Sequence, residues 1–458
     1  MRRTRSRSFP VLMLTLAFFA GIVYFLVNLT VHSAEWVSKP YNGHLSDSTG
    51  LEFAGRITDR NGIVLARSED RKRIYNDDYD IRCACLPVVG DDSVNNSTAI
   101  QTLYRSELSG YDFIFGLGTP DKLKKGNDIT LTIDSKVQTA AYRALGDSKG
   151  AVVVYNYRTG DILCMASTPT YDPMNKPEDI ETNEKYEGAY LNRAVSSSYT
   201  PGSTFKLVTA AAALEKDRSL EHREFDCVGS VEIDDKPVNC FSVSGHIDMK
   251  DALKDSCNAY FATLAVELGR PCMNEEAQKL GFGKSWCFDG IETAKSSYDV
   301  SEASDYDLGW SGVGQYTVLE TPMNMAIRTS AIANGGVCVV PHLIKDMDGD
   351  LLSSAADKSS KPERMMSSET ADKLKEMMDY TVKESYGKWS FSGSLDVCAK
   401  TGTAEVGDDG IAHAWVTGFT TDESCPLAFA VIVEHGNSGF SVAIPAASAV
   451  LNAITENG

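Results

Sequence analysis

Ala151-Val152-Val153-Val154-Tyr155 and Asp161-Ile162-Leu163-Cys164-Met165-Ala166 flank a short turn, Tyr157-Arg158-Thr159-Gly160. Two apolar runs this close together pair antiparallel, because a parallel neighbour needs a crossover of a dozen residues or more. The first arm is apolar throughout, as in a strand covered on both faces. Strand patterns return only near the end, at Asp396–Thr401, Ala412–Phe419 and Leu427–Glu434, before a closing helix from Ala446 to Thr455. The middle reads largely helical through Asp251–Leu268. A further amphipathic helix runs from Ser367 to Glu384, with Ala371, Leu374, Met377, Met378 and Val382 on one side. A hairpin, a helical middle and three more strands predict an α+β fold: an antiparallel sheet with helices packed on it plus a helical subdomain, not a doubly wound sheet. The domain is expected to span 149–458.

Outward from this domain, Asp134 caps a helix through Val137, Ala141 and Leu145 that follows a strand at Asp128–Ile133. Earlier, Gly55 to Ala66 alternates around an Arg-Asn-Gly turn and reads as a hairpin, with Asp59 and Arg60 serving the turn and surface pairing. Residues 32–148 therefore read as a region of mixed strand and helix signals. Before it, Arg2, Arg3, Arg5 and Arg7 precede an apolar run from Val11 to Val31. At about 1.5 Å per residue that run spans roughly 31 Å, close to the thickness of a bilayer core. The arginines place residues 1–10 in the cytoplasm, 11–31 in the membrane as a single-pass anchor, and the rest outside.

The chain has 458 residues and a formal charge of −19, which argues against nucleic acid as a partner. No Gly-rich phosphate loop supports nucleotide chemistry. The 11 cysteines are odd in number, so at least one is free or pairs between chains. Cys227 and Cys240 bracket a hairpin around Asp234-Asp235 and are the expected bridge. No Cys and His set has zinc spacing, so no structural metal is expected.

The chemistry starts at Tyr199-Thr200-Pro201-Gly202-Ser203-Thr204-Phe205-Lys206, which runs into an Ala-rich helix. Pro201 and Gly202 break the preceding structure, and Ser203 is a preferred helix-starting residue. Positions three apart share a helix face, so Ser203 and Lys206 sit side by side, and an amine one turn away can activate a hydroxyl without histidine. Ser-x-x-Lys alone is weak; Ser385-Tyr386-Gly387-Lys388 matches it with no helical run behind. Two further motifs follow Ser203: Ser256-Cys257-Asn258, on or between helices, and Lys400-Thr401-Gly402-Thr403 at a strand end.

In this order, Ser-x-x-Lys, Ser-x-Asn and Lys-Thr-Gly form the signature of the penicillin-recognising serine acyl transferases. The chain resembles the class B penicillin-binding proteins, the monofunctional peptidoglycan D,D-transpeptidases. Tyr199 to Lys206 is similar to the class B nucleophile motif, as is Asn192-Arg193-Ala194 upstream. Lys400 to Glu405, Gly312-Val313-Gly314-Gln315 with Thr321-Pro322, Ala333-Asn334-Gly335-Gly336, and Asp59-Arg60-Asn61-Gly62 extend the likeness; through the last of these it implies that residues 32–148 are a short pedestal. The pedestal is shorter than in the large division and elongation enzymes, and Tyr171-Asp172-Pro173-Met174-Asn175 carries one residue more than the usual Asp-Pro-Asn.

The resemblance implies that Ser203 attacks the penultimate D-alanine carbonyl of a stem peptide and that an acceptor amine resolves the acyl-enzyme into a cross-link. Lys206 is then the base, with its pKa pushed toward neutrality by burial and by Lys400. Ser256 relays the proton, Asn258 orients the donor, and Lys400 supplies positive field. Thr401 and Thr403 hold the substrate carboxylate. The N–H groups of Ser203 and Thr403 form the oxyanion hole, and Gly402 clears the substrate's lane. The resemblance also implies that no cofactor is needed. Cys257 is expected to be packing between two catalytic residues, and Glu405 and Trp415 to be structural or rim residues. The expected partners are D-Ala-D-Ala stem peptides, β-lactams as inhibitors, the membrane, and a glycosyltransferase of the elongation or division machinery. A D,D-carboxypeptidase, a membrane-anchored serine β-lactamase or a β-lactam sensor shares the motifs and is the alternative.

Overall fold

Burial on both faces, which the sequence around Val152 demands, is met by two helical layers on one sheet. The computed structural model describes residues 2–38, 51–109, 126–348, 359–405 and 411–456. The hairpin becomes β1 (Gly150–Asn156) and β2 (Ile162–Thr168); the returning strands are β3 (Val397–Ala404), β4 (His413–Thr420) and β5 (Leu427–Val433). They form a single antiparallel sheet ordered β3-β4-β5-β1-β2, so the ends of the domain meet in its centre.

The helices that matter here are α1 (Ser135–Leu145), α2 (Lys206–Lys216), α3 (Asn258–Leu268), α4 (Pro322–Ala333), α5 (Ser368–Thr381) and α6 (Ile444–Thr455). Alternate residues of β1 divide between two cores. Val152 and Val154 join Val137, Ala141 and Leu145 of α1 and Val450 and Leu451 of α6. Ala151, Val153 and Tyr155 face the larger core shared with α2, α3 and α4. At about 25 cal/mol per Å² of apolar surface, such two-sided burial is the main stabilisation of the sheet. The expected amphipathic helix is α5, capped by Ser367, with Ala371, Leu374, Met377 and Met378 buried. It runs on into a wider π-helical turn, Val382–Tyr386.

The pedestal has its own five-stranded sheet, from Ile57–Thr58, Val64–Glu69, Lys72–Tyr75, Ile129–Leu131 and Ile344–Met347. The last strand comes from far along the chain and pairs antiparallel with Ile129–Leu131. Asp59 does more than serve its turn. Its Oδ1 accepts the Asn61 and Ile63 N–H groups, each at 2.9 Å, and its Oδ2 accepts the N–H and hydroxyl of Ser135, so this buried carboxylate fastens the hairpin to the start of α1. At the N-terminus, Arg2–Ser38 is one helix. Within it Phe9–Asn28, 20 residues of mean hydropathy 2.3, is long and apolar enough to cross a membrane.

Candidate active site

Ser203 does not start a helix as a cap. It lies in a 3-10 turn, Gly202–Phe205, that leads into α2, with Pro201 in the capping position, and the bond its hydroxyl accepts comes from Lys206 Nζ. The oxygen is therefore not spent on the backbone. The turn is wedged between two backbones. A Cβ at Gly202 would come within 2.5 Å of Thr403 O, and one at Gly314 (φ +83°) within 2.0 Å of Gly202 O. The Gly202 N–H donates to Gly314 O at 3.0 Å, and Trp415 Nε1 donates to Thr200 O at 3.0 Å. The Gly-Val-Gly-Gln segment thus buttresses the serine, and Trp415, fully buried, is structural as expected.

Lys206 projects from the first turn of α2 and is completely buried. Its Nζ lies 3.0 Å from Ser203 Oγ, 2.6 Å from Ser256 O, 3.1 Å from Ser256 Oγ and 2.7 Å from Asn258 Oδ1. Burial, and then the charge of Lys400, hold its pKa well below the ordinary lysine value. A neutral amine has two N–H donors and one lone pair. The Ser256 carbonyl and the Asn258 amide oxygen can only accept, so they take both hydrogens. The lone pair is left for a hydroxyl, and Ser203 is in reach.

Ser256 sits where the helical middle breaks. The chain is helical at Met249–Lys254 and again in α3, and Ser256 between them has φ +55°. That left-handed turn puts its hydroxyl 3.1 Å from both Lys206 Nζ and Lys400 Nζ. Lys400 is buried on β3 and also donates to Thr401 O at 3.0 Å. Asn258 Nδ2 donates to Asn239 O at 2.8 Å, which turns the amide oxygen toward Lys206. Thus Ser203, Lys206, Ser256, Asn258 and Lys400 come together in one hydrogen-bonded cluster, and Thr401, Gly402 and Thr403 follow on the same strand.

The placement of Gly402 corrects one expectation. A Cβ there would meet Pro201 O at 2.6 Å and Thr204 Cγ2 at 3.0 Å, so glycine lets β3 approach the serine turn rather than clearing a substrate lane. A residue that spacing did not single out is Tyr386, inside the stray Ser-Tyr-Gly-Lys match. Its Oη accepts the Thr401 N–H at 2.9 Å and lies 2.8 Å from Thr401 Oγ1, fixing that hydroxyl at the sheet edge. Its only sequence signal was its place at the end of an amphipathic helix. Arg193, from the Asn-Arg-Ala segment, donates to Glu434 Oε1 at 2.7 Å, as does Tyr199 Oη at 2.8 Å. Burial raises the Glu434 pKa, but these two bonds outweigh it and the carboxyl lies below its ordinary value.

The expected Cys227–Cys240 bridge is not made. The two sulfurs are 3.8 Å apart, and Cys257 Sγ is 3.7 Å from Cys240 Sγ. Cysteines on a hairpin and at the start of α3 converge through the fold, which linear zinc spacing could not reveal.

A buried serine and lysine on a helix start, a second serine bridging two lysines, and a sheet edge alongside define a serine acyl transferase that works without histidine. Residues 150–455 match the penicillin binding protein transpeptidase domain, and the chain belongs to that family. Among its relatives, peptidoglycan D,D-transpeptidase PbpA of Mycobacterium tuberculosis is 29% identical over 403 residues, 80% of this chain and 82% of that one. The structure of penicillin-binding protein A from M. tuberculosis as its penicillin G acyl-enzyme superposes with a TM-score of 0.75 at 27% identity, covering 88% of this chain and 100% of that one. A D,D-transpeptidase domain from Eggerthella lenta gives 0.74 at 30%, covering 88% and 98%.

Proposed function

We propose that the chain is a peptidoglycan D,D-transpeptidase that works through a Ser203 acyl-enzyme and is acylated by β-lactams. The observation that carries the residue roles is the Lys206 amine, buried, with two acceptor-only partners and the Ser203 hydroxyl at 3.0 Å. Lys206 takes the Ser203 proton as Oγ bonds to the penultimate D-alanine carbonyl. The oxyanion is received by the N–H groups of Ser203 and Thr403, where one donor is worth about 3 kcal/mol. The proton then passes through Ser256 Oγ to the leaving nitrogen, and terminal D-alanine departs as the C–N bond breaks. Lys400 keeps Ser256 oriented and adds positive field for the substrate carboxylate, which the hydroxyls of Thr401 and Thr403 grip. An acceptor amine attacks the ester, gives up its proton along the same path and restores Ser203.

The Phe9–Asn28 helix and the arginines before it support a single-pass anchor with a cytoplasmic N-terminus. On this reading residues 32–148 are the pedestal, 149–458 work outside the cell, and a membrane glycosyltransferase supplies the glycan strands.

The test is incubation of the chain with labelled penicillin. A stable adduct that disappears in Ser203→Ala supports the reading, and label retained by that variant overturns it. Exchange of terminal D-alanine for an added D-amino acid separates transfer from a carboxypeptidase, and rapid release of hydrolysed drug would identify a lactamase.

A further inference from the structure

Cys227, Cys240 and Cys257 bring their sulfurs within 4.8 Å of one another directly behind the Ser256–Asn258 turn. We propose that these three thiols form a binding site for a thiophilic transition-metal ion, zinc in the first instance. The separations between the sulfurs fit this use. Metal–thiolate bonds of about 2.3 Å at the tetrahedral angle set sulfurs about 3.8 Å apart, and the two short pairs here are 3.8 and 3.7 Å. A disulfide needs about 2.05 Å, and an odd trio leaves one sulfur outside any pair.

The surroundings suit thiolates. The Ala259 N–H donates to Cys240 Sγ at 3.2 Å and the Tyr260 N–H to Cys257 Sγ at 3.4 Å. These are first-turn amides of the 11-residue helix α3, whose N-terminal dipole favours negative charge. Such N–H to sulfur bonds are the outer contacts that orient metal-bound thiolates. Cys227 and Cys257 are almost wholly buried, while Cys240 is half-buried and leaves a path for the ion and for a solvent molecule as fourth ligand. Binding exchanges three S–H protons, released to solvent, for three sulfur–metal bonds, with no change of oxidation state. An ion here would tie the Cys240 end of the hairpin to the residue between Ser256 and Asn258. The site thus lies outside the acyl-transfer cluster while sharing its backbone.

The full-length chain in detergent, reduced with a phosphine and freed of metal, is titrated with Cd2+ and then with Zn2+. The expected result is a sulfur-to-cadmium charge-transfer band that saturates at one equivalent and is displaced by Zn2+. It should be lost in both Cys227→Ser and Cys240→Ser and kept in Cys272→Ser, each checked for folding by circular dichroism. Either cluster variant alone suffices if the other fails to fold. No band at one equivalent, a band that survives Cys240→Ser, or a Cys240 disulfide in the anaerobically isolated chain overturns the proposal.

Discussion

The two five-stranded sheets of this molecule are built on different principles. The catalytic sheet has strands of seven or eight residues, paired without interruption from β3 to β1 and buried almost throughout. The pedestal sheet has strands of two to six residues with irregular register, and polar clasps do much of the holding. Arg56 grips Asp128 through its backbone N–H and its guanidinium, Asp59 collects four bonds, and Gln101 Nε2 donates to Gly90 O at 2.7 Å and Asp91 O at 2.9 Å. Acyl transfer needs placement to a fraction of an ångström, which close apolar packing supplies because a packed core has few alternative arrangements. The smaller sheet has far less apolar surface to bury, and its shape rests on a few strong polar contacts instead.

The contrast predicts that damage near the catalytic sheet appears in rate, and damage in the pedestal appears in stability. The largest effect should come from Lys206→Ala, with acylation of the folded chain by penicillin slowed by roughly 10²–10⁴-fold in stopped-flow measurements. Next is Gly314→Ala. Its Cβ would press on Gly202 O and displace the serine turn, and a shift of about 1 Å costs on the order of 10²-fold. A wild-type rate there would break the claim that the Gly-Val-Gly-Gln segment positions Ser203.

Asp59→Ala tests the other side. Loss of its buried bonds should reduce stability by about 1.5–3 kcal/mol in denaturant titration, with the acylation rate of the folded chain unchanged. Tyr386→Phe should weaken substrate binding by about 1 kcal/mol, a roughly fivefold rise in KM with little change in kcat, since only the orientation of Thr401 is lost.

The smallest is a displacement in pH. The acylation rate rises as Lys206 loses its proton, below the ordinary lysine range because of burial and then of Lys400. In Lys400→Gln the second cause is gone, so the rising limb should move to higher pH; a limb that stays in place would exclude Lys400 from the tuning. The sign for stability follows from the same shift. Between the folded and unfolded values of Lys206 the unfolded chain binds more protons, so stability rises with pH across that interval.

Much of the catalytic sheet was legible because its strands are long and their burial is written into each residue. Whether Ser256 lies on a helix or between two is left open by the sequence, since the break depends on one left-handed residue inside an otherwise helical run. Strand Ile344–Met347 carries Lys345 and Asp346 in its middle and has no apolar run of its own; it is defined by its partner Ile129–Leu131. Motif order points to the cluster around Ser203, but Tyr386 lies inside the stray Ser-Tyr-Gly-Lys match, which has no helical run behind it. Gly402 was recognised as necessary for the wrong neighbour, because sequence gives a residue's place on a strand and not what lies against it.

That borrowed strand also orders events in time. The pedestal precedes the catalytic domain in the chain, yet one of its edges stays open until residue 347 has emerged. During synthesis Ile129–Leu131 can pair on one side with Ile57–Thr58, while the backbone groups of its outer edge wait for Ile344–Met347 and are open to any other extended segment. The part made first is therefore among the last to close, and contacts this distant in sequence are the slow ones to form. Whatever shields that edge has to do so until the second half of the chain arrives.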